Sequence, residues 1–351
     1  MNVLTIGGAM VDTVAVIDDA LIERISMSNA GKSFLLLEQG AKTEVLGIST
    51  HCGGGGVNSA VAFARLGFNV TTCVKLGRDE RSLMIESVLS REGVSHRWVR
   101  KSEAAPTGAS TVVSAHDRNA AIFTFRGANS LLCNEDFVPE MFEVDVVYVA
   151  PLSGASADVF PDLVKYAKQS EALLVVNPGI RHITSRSIAL RRCLQDIDIL
   201  AVNKLEAEAL IGQAVVEMSM SDAPSERATA ADILRFSSAA KSAAPGAASV
   251  ALASGLLRLG CQKVLLTDGR HGACVATKDE IIFEPAQKVI VAGTAGAGDA
   301  IASTFAAWTL AGEKAAAALK AATVNAGEVV KVADAQSGLL RADELRSRLG
   351  S

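Results

Sequence analysis

The chain has 351 residues; 49% are hydrophobic, 21% charged and only 4% aromatic, and the formal net charge is −4. At roughly 150 residues per domain, this is one large α/β domain or two smaller ones, too apolar for a disordered chain. The charge offers no basic excess to neutralise nucleic-acid phosphates, and no apolar run reaches the ~18 residues of a membrane span.

The start, Met1 to Asp12, has no basic segment before its apolar residues, so it reads as a core strand and not as a signal peptide. Val3 to Ile6 is the first strand-like run, closed by Gly7 and Gly8. Phe34 to Leu37 and Lys42 to Ile48 read as extended. Ser59 to Leu66 is a helical stretch closed by Gly67, and Val70 to Leu76 is the next strand. Ala109 to Ala115 and Ala121 to Phe125 read as a hairpin with its turn at His116 to Asn119. Strands follow at Val144 to Ala150, Ala172 to Val176, Ile197 to Val202 and Val264 to Thr267, with a helix at Pro161 to Lys168 among them. Residues 214–256, rich in Ala and Ser, read as helices with a surface connection. Alternating strand and helix predicts a mostly parallel sheet covered on both faces, a three-layer α/β/α fold. Segments 13–50 and 97–130 break the alternation and are expected to form a small β lid over the sheet's carboxyl edge, inserted in a single domain spanning 1–351. Cys52, Cys73, Cys133, Cys193, Cys261 and Cys274 form no C-x-x-C pair, which suits free thiols in a reducing cytoplasm better than disulfides or structural zinc.

Three glycine-rich segments carry chemistry. The apolar run Val289 to Val291, read as a strand, leads into Gly293-Thr294-Ala295-Gly296-Ala297-Gly298-Asp299 and an Ala-rich helix. The amides of Gly296, Ala297 and Gly298 can converge on an anion at that helix start. Asp stands where a P-loop has Lys, and the glycine order fails the dinucleotide fingerprint. An acid beside an anion hole makes sense as a base that takes the proton of a hydroxyl attacking phosphorus. A plain turn and helix cap explain the segment equally well when it is taken alone. Gly53-Gly54-Gly55-Gly56-Val57-Asn58 opens a second helix and permits close backbone approach; a hinge explains it as well. Asp12, after Gly7-Gly8, can hold sugar hydroxyls or simply end a turn.

Together these segments resemble the ribokinase-like (PfkB) family of carbohydrate and nucleoside kinases. Gly293 to Asp299 lies in register with its D-T-x-G-A-G-D signature, and Gly53 to Gly67 with its glycine-rich N-terminal signature. Gly127-Ala128-Asn129, Asn177-Pro178, Asn203-Lys204-Leu205-Glu206 and Thr267-Asp268-Gly269 with Gly272 follow the family's order. The resemblance spans residues 3–340. It implies ATP-dependent phosphorylation of a hydroxyl, often a hydroxymethyl, of a small sugar, with Asp299 as base and Gly296, Ala297 and Gly298 as the anion hole. It further implies Asp12, Gly54, Gly55 and Asn58 on the substrate, and Asn203 and Glu206 on Mg²⁺. Asn203, Thr267, Gly269, Gly272 and Asn325 would serve ATP, and the lid would pair two copies.

The departures are specific. Gly293 replaces the Asp that helps hold a monovalent cation in relatives, so that site is not carried over. Pro151-Leu152-Ser153 replaces the Glu that ribokinases set against ribose. A nucleoside kinase is the nearest alternative, since Phe34 or Phe123 could stack a base or pack the lid. A silent sugar sensor is another, which the intact Asp299 opposes. His51, His116 and Arg126 could touch a ligand or sit in solvent. Arg181, Arg186, Arg191 and Arg192 read as a solvated face.

Overall fold

The computed structural model describes residues 1–18, 23–27, 32–36, 40, 42–115, 120–220 and 229–350. In chain order the first half contains strands β1 (Asn2–Ile6), β2 (Met10–Ile17), β3 (Glu23–Met27), β4 (Lys32–Leu36) and β5 (Val45–Gly53), then helix α1 (Gly55–Arg65). Strands β6 (Asn69–Cys73) and β7 (Lys75–Leu76), helix α2 (Glu80–Arg91), and strands β8 (Arg100–Lys101), β9 (Gly108–Ala115) and β10 (Ala120–Phe125) follow. The second half runs β11 (Val146–Val149), α3 (Phe160–Gln169), β12 (Leu173–Val176), α4 (Gly179–Ser185), α5 (Ser187–Cys193), β13 (Ile199–Asn203), α6 (Lys204–Met220), α7 (Ala230–Ser242) and α8 (Pro245–Arg258). It ends with β14 (Val264–Thr267), β15 (Ala273–Ala276), β16 (Ile281–Glu284), α9 (Ala297–Leu310), α10 (Ala315–Val329) and α11 (Ala342–Leu349).

The main sheet has the order β16-β15-β14-β13-β12-β11-β1-β6. From β6 to β14 every pairing is parallel; β15 and β16 turn back antiparallel. Alternate residues of each strand serve opposite cores. Leu4, Ile6, Val147, Val149, Leu174 and Val176 face one apolar cluster with residues of α3, α5, α6 and α8. Val3, Val146, Tyr148 and Val175 face the other, with α1, α2, α9 and α10. Burial on both sides is why these strands read as continuous apolar runs. The chain leaves β1 first toward β6 and later toward β11, so the direction of winding reverses at β1. The crevice beyond its carboxyl end is where open sheets of this kind bind ligands.

A second sheet, β10-β9-β2-β5, stands at that edge, with a separate β3-β4 ribbon. It begins at Met10, earlier than the expected position 13, and residues 97–107 lie outside it. Strands β9 and β10 form the expected antiparallel hairpin; its turn, including His116, lies outside the described residues. Two expectations need correction. Val289 to Val291 is not a strand: β16 already holds the edge, Ile290 is 81% exposed, and Ala292 and Gly293 donate instead to the Val330 carbonyl. The run Val70 to Leu76 breaks at Val74, and its end pairs with β8.

Candidate active site

Gly54 makes the turn into α1. Its φ is +94°, and a side chain there would come within 2.5 Å of the Gly8 carbonyl, a conformation and a gap that suit only glycine. The Gly56 amide donates to Gly8 O at 3.0 Å, while the Val57 and Asn58 amides donate to Gly54 O at 3.0 and 2.9 Å. The start of α1 is thereby clamped to the end of β1. Asn58, in the first turn, is only 5% exposed. Its Nδ2 donates to Asp299 Oδ2 at 2.9 Å, and its Oδ1 accepts from Gln336 Nε2 at 3.1 Å. Expected on a substrate hydroxyl, this amide instead connects Gln336 to Asp299. Gln336 carries no local sequence signal, since it lies 278 residues from Asn58.

Asp299 sits in the first turn of α9, whose preceding residue, Gly296, has φ +77°. A side chain at Gly296 would overlap Ala335, so the loop after α10 holds this turn. The Ala297 amide leans on the Thr294 carbonyl at 3.4 Å. The amides of Gly298 and Asp299, within the first helical turn, have no intrahelical acceptor and add to the positive end of the helix dipole. Burial pushes the Asp299 carboxyl above the usual carboxylate range, and the Asn58 hydrogen bond opposes that rise. A Cβ at Gly55 would lie 3.3 Å from Asp299 Oδ1, so the two glycine turns meet at this carboxylate.

Asp12 enters the same space from β2. Ser110 Oγ donates to its Oδ1, and its other oxygen lies where a side chain at Gly53 would be. Burial raises its pKa, against the pull of Ser110 and of His51, its register partner on β5. Asn129 fastens the hinge of the second sheet: Oδ1 accepts from Ala9 N and Nδ2 donates to Ala9 O, both at 2.8 Å.

On the far side of Asp299 a cavity of about 170 Å³ is lined by Asn177, Asn203, Glu206, Thr267 and Gly298. Asn203 and Glu206 cap α6 reciprocally. The Asn203 amide donates to Glu206 Oε2, and the Glu206 amide donates to Asn203 Oδ1, both at 2.9 Å. The N-x-x-E spacing is therefore a capping box that leaves a buried carboxyl on the cavity, its pKa raised chiefly by burial. Among the described residues no cluster of three acidic, His or Cys side chains could cage a metal. One carboxylate facing a phosphate-sized space does fit Mg²⁺, which keeps waters and relies on substrate phosphates.

Two expected nucleotide residues are placed differently. Asn325 is fully buried; Nδ2 donates to Thr304 Oγ1 at 2.8 Å and Oδ1 accepts from Leu340 N at 2.9 Å. It faces inward and ties α10 to α9. Gly272 forms the turn into β15 against Glu284 and accepts from Asp268 N at 2.8 Å, whereas the space around Gly269 is open. A larger cavity, about 620 Å³, lies between β5, α2 and residues 334–337. Its Arg65 is already committed to Glu92 and to the Gln336 and Leu339 carbonyls.

The model of the pfkB family carbohydrate kinases matches residues 11–342. The chain belongs to this family. Among curated carbohydrate kinases it is similar to the deoxyribokinase of Salmonella typhi, 25% identical over 317 residues, covering 89% of this chain and 90% of the relative. Two solved structures show the same ribokinase fold. The ribokinase of Arabidopsis thaliana complexed with ribose and ATP has a TM-score of 0.73, 21% identity and coverage of 100% and 98%. The nucleoside kinase of Methanocaldococcus jannaschii has a TM-score of 0.71, 18% identity and coverage of 99% and 98%. As a PfkB carbohydrate kinase, the chain is an enzyme of sugar phosphorylation, with the three-layer α/β fold expected from its sequence.

Proposed function

We propose that this kinase transfers the γ-phosphoryl group of ATP to a hydroxyl, most simply a hydroxymethyl, of a small sugar. The observation that carries this reading is the Asp299 carboxylate, held by Asn58 at the start of α9, between Asp12 and the cavity bearing Glu206. Asp12 and the backbone around Gly54 and Gly55 would fix the sugar, and Asn58 would chiefly orient the base. Asp299 would take the hydroxyl proton as that oxygen bonds to phosphorus and the bond to the ADP oxygen breaks. The Gly298 and Asp299 amides would bear the charge on the transferring group, with Ala297 as a weaker third donor. Thr267, Asn203 and Gly269 would line the nucleotide. Mg²⁺, held through water by Glu206 and by the phosphates, would supply charge neutralisation. A silent sugar receptor is disfavoured, since binding alone has no use for a base beside an anion hole.

Exposed Leu46, Ile48, Ile122, Phe123 and Phe125 on β5 and β10 would be covered if two copies paired through the second sheet. Six free thiols suit the cytoplasm; no helix among the described residues is long and apolar enough to cross a membrane. The decisive experiment is a coupled ADP-release screen with Mg-ATP over sugars and nucleosides. Release that depends on a sugar supports the reading. Release only with nucleosides replaces it with the nucleoside reading, and no acceptor-dependent release overturns both.

A further inference from the structure

The loop between α10 and α11 reaches the Asp299 carboxylate through one side chain. Gln336 is only 8% exposed, and its Nε2 donates to Asn58 Oδ1 at 3.1 Å. Asn58 Nδ2 in turn donates to Asp299 Oδ2 at 2.9 Å. Among the described residues, Asn58 is the one side chain hydrogen-bonded to this carboxylate. Glu206 on α6 and the Tyr148 hydroxyl on β11 stand in the field of Asp299 from the other side, and neither hydrogen-bonds to it.

The direction of this chain is set at both ends. A primary amide has a donor end and an acceptor end of nearly equal shape, so its neighbours decide which way it turns. An ionised carboxylate only accepts, which calls for Nδ2 of Asn58 on the Asp299 side. Gln336, as donor, calls for Oδ1 on the opposite side. Without that donor the oxygen of a buried Asn58 loses its partner, which a shielded polar atom tolerates poorly. The amide is then free to turn, and a turned amide sets an oxygen against the carboxylate in place of an N–H. The bond that favours the charged form of Asp299 is lost.

A group that orients another must itself be held. Asn58 and Arg65 lie seven residues, about two turns, apart on α1. Asn58 binds the Gln336 side chain, while Arg65 Nη1 donates to the Gln336 and Leu339 carbonyls at 2.7 and 2.8 Å. Glu92 fixes the rest of that guanidinium, accepting from Nε and Nη2. Asp334 Oδ1 accepts from the Gln336 and Ser337 amides at 2.9 and 2.8 Å, and its Oδ2 faces His51 Nδ1 on β5 at 3.9 Å. The backbone carrying Gln336 is therefore bonded on both sides of its side chain.

We propose that Gln336 is a positioning residue of the phosphoryl transfer: by donating to Asn58 Oδ1 it keeps the Asn58 N–H turned toward Asp299, so that the base stays charged and aimed. This rests on the assignment of Asp299 as the base and extends it to a residue that acts through another.

The test follows kcat/KM against pH, with the acceptor giving the fastest ADP release in the screen above, together with the KM for ATP and the melting temperature. Gln336→Met keeps the length and removes the donor. It should move the acid limb of kcat/KM upward by about half a pH unit and lower the neutral rate about threefold to tenfold, with the KM for ATP within about twofold. Gln336→Glu keeps the shape and sets an acceptor against Asn58 Oδ1, so its limb should move further, by about one unit. In an Asn58→Ala background, Gln336→Met should move the limb no further, because its effect passes through Asn58. A wild-type limb in both Gln336 variants overturns the proposal, as do additive shifts in the double variant. Lower melting temperatures with an unmoved limb, or a failure of both variants to fold, make Gln336 purely structural and overturn it as well. If Asp299→Asn is slow while the Gln336 limbs are unmoved, this inference alone falls. If Asp299→Asn turns over like the wild type, the base assignment falls and takes this inference with it.

Discussion

The glycine-rich turns that open α1 and α9 look alike in sequence and do opposite work. At the start of α1 the glycines are pressed into the end of β1, with Gly54 against Gly8 and Gly56 bonded to it. This turn is part of the core, and the first-turn side chain of its helix, Asn58, is buried and bonded at both ends. At the start of α9 the glycines rest on a loop, with Gly296 against Ala335, and Gly298 meets only Asn177 Nδ2, at 4.0 Å. The α1 turn is packed and holds a side chain still; the α9 turn keeps amides open beside a carboxylate. Gly54 and Gly56 serve close packing in the first, where only Gly55 borders Asp299, and Gly298 keeps open space in the second, a difference that depends on neighbours and not on the glycines themselves.

The largest effect is expected at the open α9 turn. Asp299→Asn removes the proton acceptor and should lower kcat by roughly 10²–10⁴. Its folded pKa is raised by burial, so the stability linked to it is present at low pH and lost as pH climbs through that pKa. The variant's melting temperature at neutral pH should therefore equal or exceed that of the wild type. A fast Asp299→Asn enzyme would break the assignment of the reactive role to this turn.

The packed α1 turn should respond in stability. Gly54→Ala forces a side chain onto φ +94° and the Gly8 carbonyl, which costs roughly 1–3 kcal/mol or more. Gly298→Ala, with open space and a helical position, should melt close to wild type by calorimetry. Equal melting of the two variants would erase the contrast.

Asn58 joins the two helix starts, and its loss is read best in pH. The base works only when charged, and Asn58 is the hydrogen bond that holds its raised pKa down. Asn58→Ala should move the acid limb of kcat/KM upward by roughly half to one pH unit and lower the neutral rate by about tenfold. An unmoved limb would mean that Asn58 does not orient the base.

The smallest effect concerns the loop under Gly293. The carbonyls of Val332 and Ala333 lie 3.1 Å from where its side chain would begin, and no carboxylate is offered from that position. Replacing Na⁺ by K⁺ at fixed ionic strength should change the rate by less than about threefold. A tenfold rise would show that backbone carbonyls alone sustain a cation site.

Much of this molecule was legible from short-range pattern. Apolar runs ending in Gly, Pro or Asn marked β1, β11, β12, β13 and β14, because strands buried on both faces must be continuously apolar. Spacing also drew attention to Asp299, an acid next to convergent amides, though taken alone a turn and helix cap explained that segment equally well. The same pattern misled at Val289 to Val291, where the edge of the sheet was already filled and the apolar residues lie along the surface. The resemblance to the family's N-x-x-E implied that Asn203 and Glu206 belong together, and only the structure showed that they cap one helix start reciprocally.

What the sequence determined by itself is local: alternation of strand and helix, the turns that need glycine, and the helix starts that gather amides. The tertiary structure decided which side chains meet. Asn58 reaches Asp299 across 241 residues, and Asn325 turns inward to Thr304 and Leu340. Hydrogen bonds and ion pairs reach only about 3–4 Å. Their partners are therefore set by strand order and helix docking, which no periodicity along the chain records.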